Sequence, residues 1–212
     1  MARRARRPAP GPRVNPRGIG AQTAGDDVAA LRTATALVVL AQSTYRTLQT
    51  NTAGGGATAV PLVRDLLAAA VVELGDARSA LTAATTGAGG RAQTAPDPAY
   101  GPVVDAALPT VRTPADVVGL VLTLEDVLAQ TLVTDAAGLS TPALRALALR
   151  VGSESAARKA TLLMVNSLLS AGRADLVVAP PDLASLPGGI GTVGFPDTRF
   201  PTAKAAPPEE GN

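Results

Sequence analysis

Apolar residues recur at helical spacing in four long stretches of the chain, and the breaks between them are rich in glycine and proline. In the first stretch, Asp26 to Thr50, residues Leu31, Val38 and Tyr45 fall on one side of a helix, and Asp26 and Asp27 stand where carboxylates favour the exposed N–H groups of its start. The pattern breaks at Ala53-Gly-Gly-Gly-Ala57. It resumes near Val60 with Pro61 in the first turn; Leu66, Ala70, Leu74 and Leu81 carry the stripe to about Ala84, before Gly87-Ala-Gly-Gly90. Residues 91–104, with three prolines and no period, read as a connection long enough to run back along a bundle.

The last two stretches announce themselves alike. Thr113-Pro114-Ala115-Asp116 offers a Thr cap, a proline at the first helical position and an acid at the third. Thr141-Pro142 repeats the Thr-Pro start. These helices are expected to stop at Gly138 and near Gly172. Helices of ~25 residues are ~37 Å long, and four of them share one core. No run of residues reads as a strand. The pattern therefore predicts an all-α, four-helix bundle over residues 26–172. A basic arm, 1–25, precedes it, and an irregular tail, 173–212, follows. That tail offers Leu183, Leu186, Ile190, Phe195 and Phe200 for packing against the helices.

Two charged residues fall where the pattern demands apolar ones. At 100° per residue, Val118, Val121, Leu122, Leu128, Ala129 and Leu132 lie within about 60° of Glu125, whereas Asp116, Thr123, Gln130 and Thr134 occupy the opposite side. On the fourth helix, Leu147, Val151, Leu162, Val165 and Leu169 define a stripe that contains Arg158, with Glu154 and Ser155 on its flanks. A buried carboxylate needs a partner or a proton, so an ion pair between Glu125 and Arg158 is expected. Glu154 also stands four residues before Arg158, a spacing that supports a helix. On the second helix, Glu73 sits at the edge of the stripe and Asp76 points outward.

Composition narrows the chemistry. The 212 residues contain no Cys and no His, which removes disulfides, thiolate and imidazole metal ligands, and the Ser-His-Asp triad. A carboxylate-only metal centre would require three or four inward acids, and Glu125 is the clear one. Arg158 beside it would repel a divalent ion. The alternative is a reduced metal site using Glu125, Glu154 and Glu73. The glycine runs at 54–56, 87–90 and 188–191 lack the context of a phosphate loop. Ser153, Ser155 and Ser167 have no evident base, with Lys159 four residues beyond Ser155.

Charge is unevenly placed. Arg3, Arg4, Arg6, Arg7, Arg13 and Arg17 precede any acid, and the remaining residues hold 13 basic and 17 acidic side chains. The high pI belongs to an arm, expected to be disordered, with no aromatic residue interleaved for base stacking. Nucleic-acid binding is therefore not expected, although deleting residues 2–17 would test for an anionic partner. The longest uncharged apolar runs, Thr33–Tyr45 and Ala160–Gly172, are 13 residues each, short of the ~18–20 needed to span a bilayer.

Local patterns also resemble the actinobacterial ferritin-like domain proteins, four-helix bundles related to carboxylate-bridged di-iron proteins. The resemblance rests on DVAALRTATALVVLAQSTY, TPADVVGLVLTLEDVLAQT, ATLLMVNSLL and the close PPDLASLPGGIGTVGFPDTRFPT, and it runs over residues 27–203. In that family each half of the bundle supplies a Glu, then an acid followed three residues later by His. The resemblance implies that Val38 replaces the first Glu and that the second helix keeps only Glu73 or Asp76. Glu125 is retained, and the final acid-and-His pair falls at Ser155 and Arg158. It thus implies a ferritin-like fold whose di-metal site has been dismantled. Such proteins often carry a twin-arginine export signal, whereas the RRARR start here lacks the apolar segment. The expectation is a non-catalytic structural or interaction protein without cofactor, with an unidentified protein partner or a second copy of itself. It is expected in the cytoplasm as written, or exported if an upstream segment precedes Met1.

Overall fold

The computed structural model describes residues 24–178, so the basic arm and the tail from 179 onward lie outside the described residues. Four long helices dominate: α1 (Ala24–Thr50), α2 (Pro61–Gly87), α4 (Pro114–Ala136) and α5 (Pro142–Ser170). The connection before α4 holds a short helix, α3 (Gly101–Ala107), and a 3₁₀ turn, Leu108–Thr110. A second 3₁₀ turn, Ala174–Leu176, follows α5. The architecture is all-α, with no strand among the described residues.

Local chemistry explains where the helices begin. Thr113 accepts a hydrogen bond from the Asp116 N–H at 3.2 Å, and Asp116 accepts from the Thr113 N–H at 2.9 Å, a reciprocal capping box. The Thr141 hydroxyl likewise accepts from Leu144 N–H at 3.2 Å. Between α1 and α2, a Cβ on Gly54 would lie 2.2 Å from the Leu48 carbonyl oxygen and one on Gly55 only 1.8 Å from that of Gln49. Only glycine permits this tight return.

The return makes α1 and α2 antiparallel. It sets Gln42 beside Val71, whose carbonyl accepts from Gln42 Nε2 at 3.0 Å. Residues 90–111 then travel back along α1. Arg32 donates to Gln93 Oε1 at 3.0 Å, the Asp97 N–H donates to Ala36 O at 3.1 Å, and Val104 packs with Leu40 and Leu124. The long connection expected from sequence is thus present, but it contains α3. Asp97 explains the unforeseen helix: its side chain accepts from the amides of Ala99 and Tyr100 at 2.9 and 3.0 Å, which turns the chain into α3. Because of this crossover α4 enters parallel to α2 and antiparallel to α1, and the short turn after Ala136 returns α5 antiparallel to α4. Asp27 fixes the far end by accepting from both the backbone and the hydroxyl of Ser140.

One continuous core joins the four helices, and Leu176 and Val177 extend it beyond α5. The expected stripe holds on α1, where Leu31, Val38 and Tyr45 are buried; on α4 Val118, Val121, Glu125, Leu128 and Leu132 are buried as expected, but Val117 and Leu124 join them while Leu122 and Ala129 are half-buried. On α2 the stripe runs through Val63, Leu67, Ala70, Leu74, Ala77 and Leu81, leaving Leu66 half-buried. By length and composition α4 is also apolar enough to cross a membrane. A search for uncharged runs passes over it because Glu125 and Asp126 interrupt it. Its apolar residues Val117, Val118, Val121, Leu124, Leu128 and Leu132 are nevertheless spent on the core.

Candidate functional site: a buried carboxylate clamped by arginine

Glu125 lies in the middle of α4 and is 0% exposed. Arg158 on α5 meets it with two parallel hydrogen bonds, Nε to Oε1 at 3.0 Å and Nη2 to Oε2 at 3.1 Å. This fork-to-carboxylate geometry is the strongest that arginine makes. Tyr45 on α1 adds its hydroxyl, which donates to Glu125 Oε1 at 2.8 Å. The other side of the guanidinium donates from Nη1 to Glu73 Oε2 on α2 at 2.9 Å, and Nη2 also donates to Ser155 Oγ at 3.1 Å. One arginine on α5 therefore holds side chains of α4 and α2 directly, and α1 joins through the bond of Tyr45 to Glu125.

The electrostatics follow from burial. Burial, then the charge and hydrogen bond of Glu125, push the Tyr45 phenol far above the ordinary tyrosine range, so it remains a neutral donor. Burial pulls the Arg158 guanidinium down, but its bonds to Glu125 and Glu73 outweigh that and hold it above its ordinary value. No buried side-chain nitrogen or oxygen lacks a partner among the described residues.

Several sequence expectations change here. Glu125, Arg158 and Glu73 come together as one network. Glu154 does not join it: it pairs with Arg150, one turn earlier, at 3.1 Å, leaving Arg158 to reach inward and toward α2. Ser155 is not on a flank but fully buried, because the α5 stripe runs through Ala148, Val151, Gly152, Ser155, Leu162, Val165 and Leu168. Leu147 and Leu169 are only half-buried. Small residues around most of α5 blur its period. Asp27 ties two ends of the fold together as well as standing in the first turn of α1. The hydroxyl of Tyr45 was overlooked as a site group. The available signal was a phenol on Tyr45, set in the apolar stripe of α1, whose hydroxyl needs an acceptor that Glu125 can supply.

The donor set does not fit a di-metal centre. Both oxygens of Glu125 are aimed at Arg158 and Tyr45, and the guanidinium occupies the space where a cation would share that carboxylate. No group of three or more metal-ligating side chains forms among the described residues. Val38, at the position where the family resemblance implies a Glu, is fully buried among apolar neighbours. Beside the network, an apolar cavity of about 50 Å³ is walled by residues that include Tyr45, Leu66, Ala70, Val121 and Arg158. That is far below the ~300 Å³ at which small-molecule pockets begin. Lys159, the one lysine near Ser155, is instead held by Asp126 on α4.

No family model matches the chain, no curated protein matches it, and no solved structure matches it.

Proposed function

We propose that this protein is a ferritin-like four-helix bundle of the actinobacterial type in which the Tyr45–Glu125–Arg158–Glu73 network stands in for a di-metal centre, and that it acts as a non-catalytic structural or interaction module. The observation that carries this reading is the two-pronged bond of Arg158 to a completely buried Glu125, which commits both carboxylate oxygens to protein donors. The paired antiparallel helices, with a crossover that makes α2 and α4 parallel, support the ferritin-like part of it. The reading also explains why a permanent cation sits in the middle of the core. It links α4, α5 and α2 at the level where bound metal would otherwise link them.

Metal content tests the proposal. Protein purified without a His-tag is incubated with Fe(II), Mn(II) and Zn(II), desalted and measured by mass spectrometry. The expected stoichiometry is near zero. One or two metals per chain, lost in Glu125→Ala, would overturn the ion-pair reading in favour of a reduced carboxylate site with oxidase or iron-handling activity.

A further inference from the structure

An open groove of about 550 Å³ runs between α1 and α2, edged by residues 92–94. Its floor is Gln42 against Gly75, where a Cβ would stand 3.0 Å from Gln42 Nε2; glycine opens the floor to its full depth. The helices are antiparallel, so Arg46, one turn beyond Gln42, and Arg78, one turn beyond Gly75, extend in opposite directions. They bracket the floor at about 10 Å along the helix axis, within reach of one another's long side chains.

The charge and donor balance of this groove is one-sided. No carboxylate lines it. Elsewhere Arg64, Arg150, Arg158 and Arg173 each hold an acid. Arg46 and Arg78 make no hydrogen bond or ion pair among the described residues. The Thr82 hydroxyl adds one more donor to the wall. Two guanidinium groups and a hydroxyl, with no competing anion, are the chemistry that recognises phosphate oxygens. A groove of this volume falls in the range of small-molecule sites.

We propose that this groove binds a small soluble molecule bearing a diphosphate group, with Arg46 and Arg78 each holding one phosphate. The spacing of the two arginines favours a ligand with two anionic centres over a single phosphate. A recess between two helices, with its floor at Gln42 and Gly75, favours a small soluble ligand over a membrane surface. The proposal does not depend on the role of Glu125.

Inorganic pyrophosphate is the probe, titrated into the isotope-labelled full-length chain and followed by amide chemical shifts. The expected result is a saturable shift centred on Gly75 and Ala92–Thr94, weakened about tenfold in Arg46→Gln and in Arg78→Gln. Arg64→Gln, which removes an arginine paired with Asp65 and about 21 Å from Arg78 along α2, should leave the affinity unchanged. Helical circular dichroism of each variant verifies that the fold is intact. Shifts confined to the basic residues before Ala24, or an equal loss in Arg64→Gln, would reduce the effect to general charge and overturn the proposal. So would binding to phosphatidylglycerol vesicles without a response to pyrophosphate.

Discussion

Two ion pairs join α4 to α5 one residue apart. Glu125–Arg158 and Asp126–Lys159 use neighbouring positions on the same two helices and the same pairing of charges. In the first, the carboxylate is 0% exposed and the guanidinium 14%; in the second, the side chains are 37% and 32% exposed. That single-residue step turns the first carboxylate into the core and the second toward water. The lesson is that the worth of an ion pair is set by the water it excludes. Removing Arg158 strands a carboxylate that cannot be solvated, and removing Glu125 leaves a largely buried guanidinium with Glu73 as its one remaining carboxylate, whereas either partner of the outer pair is rehydrated where it stands.

The largest expected effect is therefore at the inner pair. Glu125→Ala or Arg158→Ala should each cost about 3–5 kcal/mol in urea unfolding, a large part of a typical domain's stability. A loss close to that of Asp126→Asn would erase the distinction between the two pairs. Next comes Tyr45→Phe, which removes one hydrogen bond to a buried charge and should cost about 1.5–3 kcal/mol. It should also alter the alkaline limb. The folded phenol is raised above the ordinary 10.0 while an unfolded tyrosine ionises near that value, so the contribution is full below pH 10 and is lost as pH rises beyond it. Wild-type stability should fall there more steeply than that of Tyr45→Phe; parallel curves would show that the hydroxyl is not buried against Glu125.

A smaller effect belongs to the α4 cap, which positions both pairs. Thr113→Ala should cost about 1 kcal/mol. Asp116 is held below its ordinary 3.8 by hydrogen bonds from the backbone of Arg112, then from the side chain and backbone of Thr113. Its contribution is present above that value and is lost as pH falls below it, so Thr113→Ala should also weaken the acid dependence of stability. The smallest effect is expected at the outer pair, where Asp126→Asn should leave the unfolding midpoint within experimental error. A clear drop would mean that Lys159 and Asp126 do more than decorate the surface.

The inner pair was legible in the sequence because a 100° rotation per residue sets both Glu125 and Arg158 in apolar stripes, and caps at Thr113 and Thr141 fix where counting starts. Its wider network was less legible. Tyr45 and Glu73 come from helices whose register against α4 and α5 is set by the tight Gly54-Gly55 return and the crossover, neither of which leaves a periodic trace. Ser155 was misplaced because α5 carries small residues on nearly every side, so several stripe directions fit equally well. Glu154 sits at the right spacing for Arg158, yet a guanidinium already committed to Glu125 and Glu73 leaves it to Arg150. The Asp27–Ser140 contact joins residues far apart in sequence and has no local signature.

The central claim, that Glu125 and Arg158 form one buried unit, is tested most directly by a double-mutant cycle of urea unfolding with Glu125→Leu, Arg158→Met and both together. The cycle is repeated in Tyr45→Phe so that the stranded tyrosine hydroxyl does not distort it. Strong coupling is predicted, with each single variant losing about 3–5 kcal/mol and the double variant far less than their sum. Single losses that add to within about 0.5 kcal/mol would show two independent residues and contradict the account.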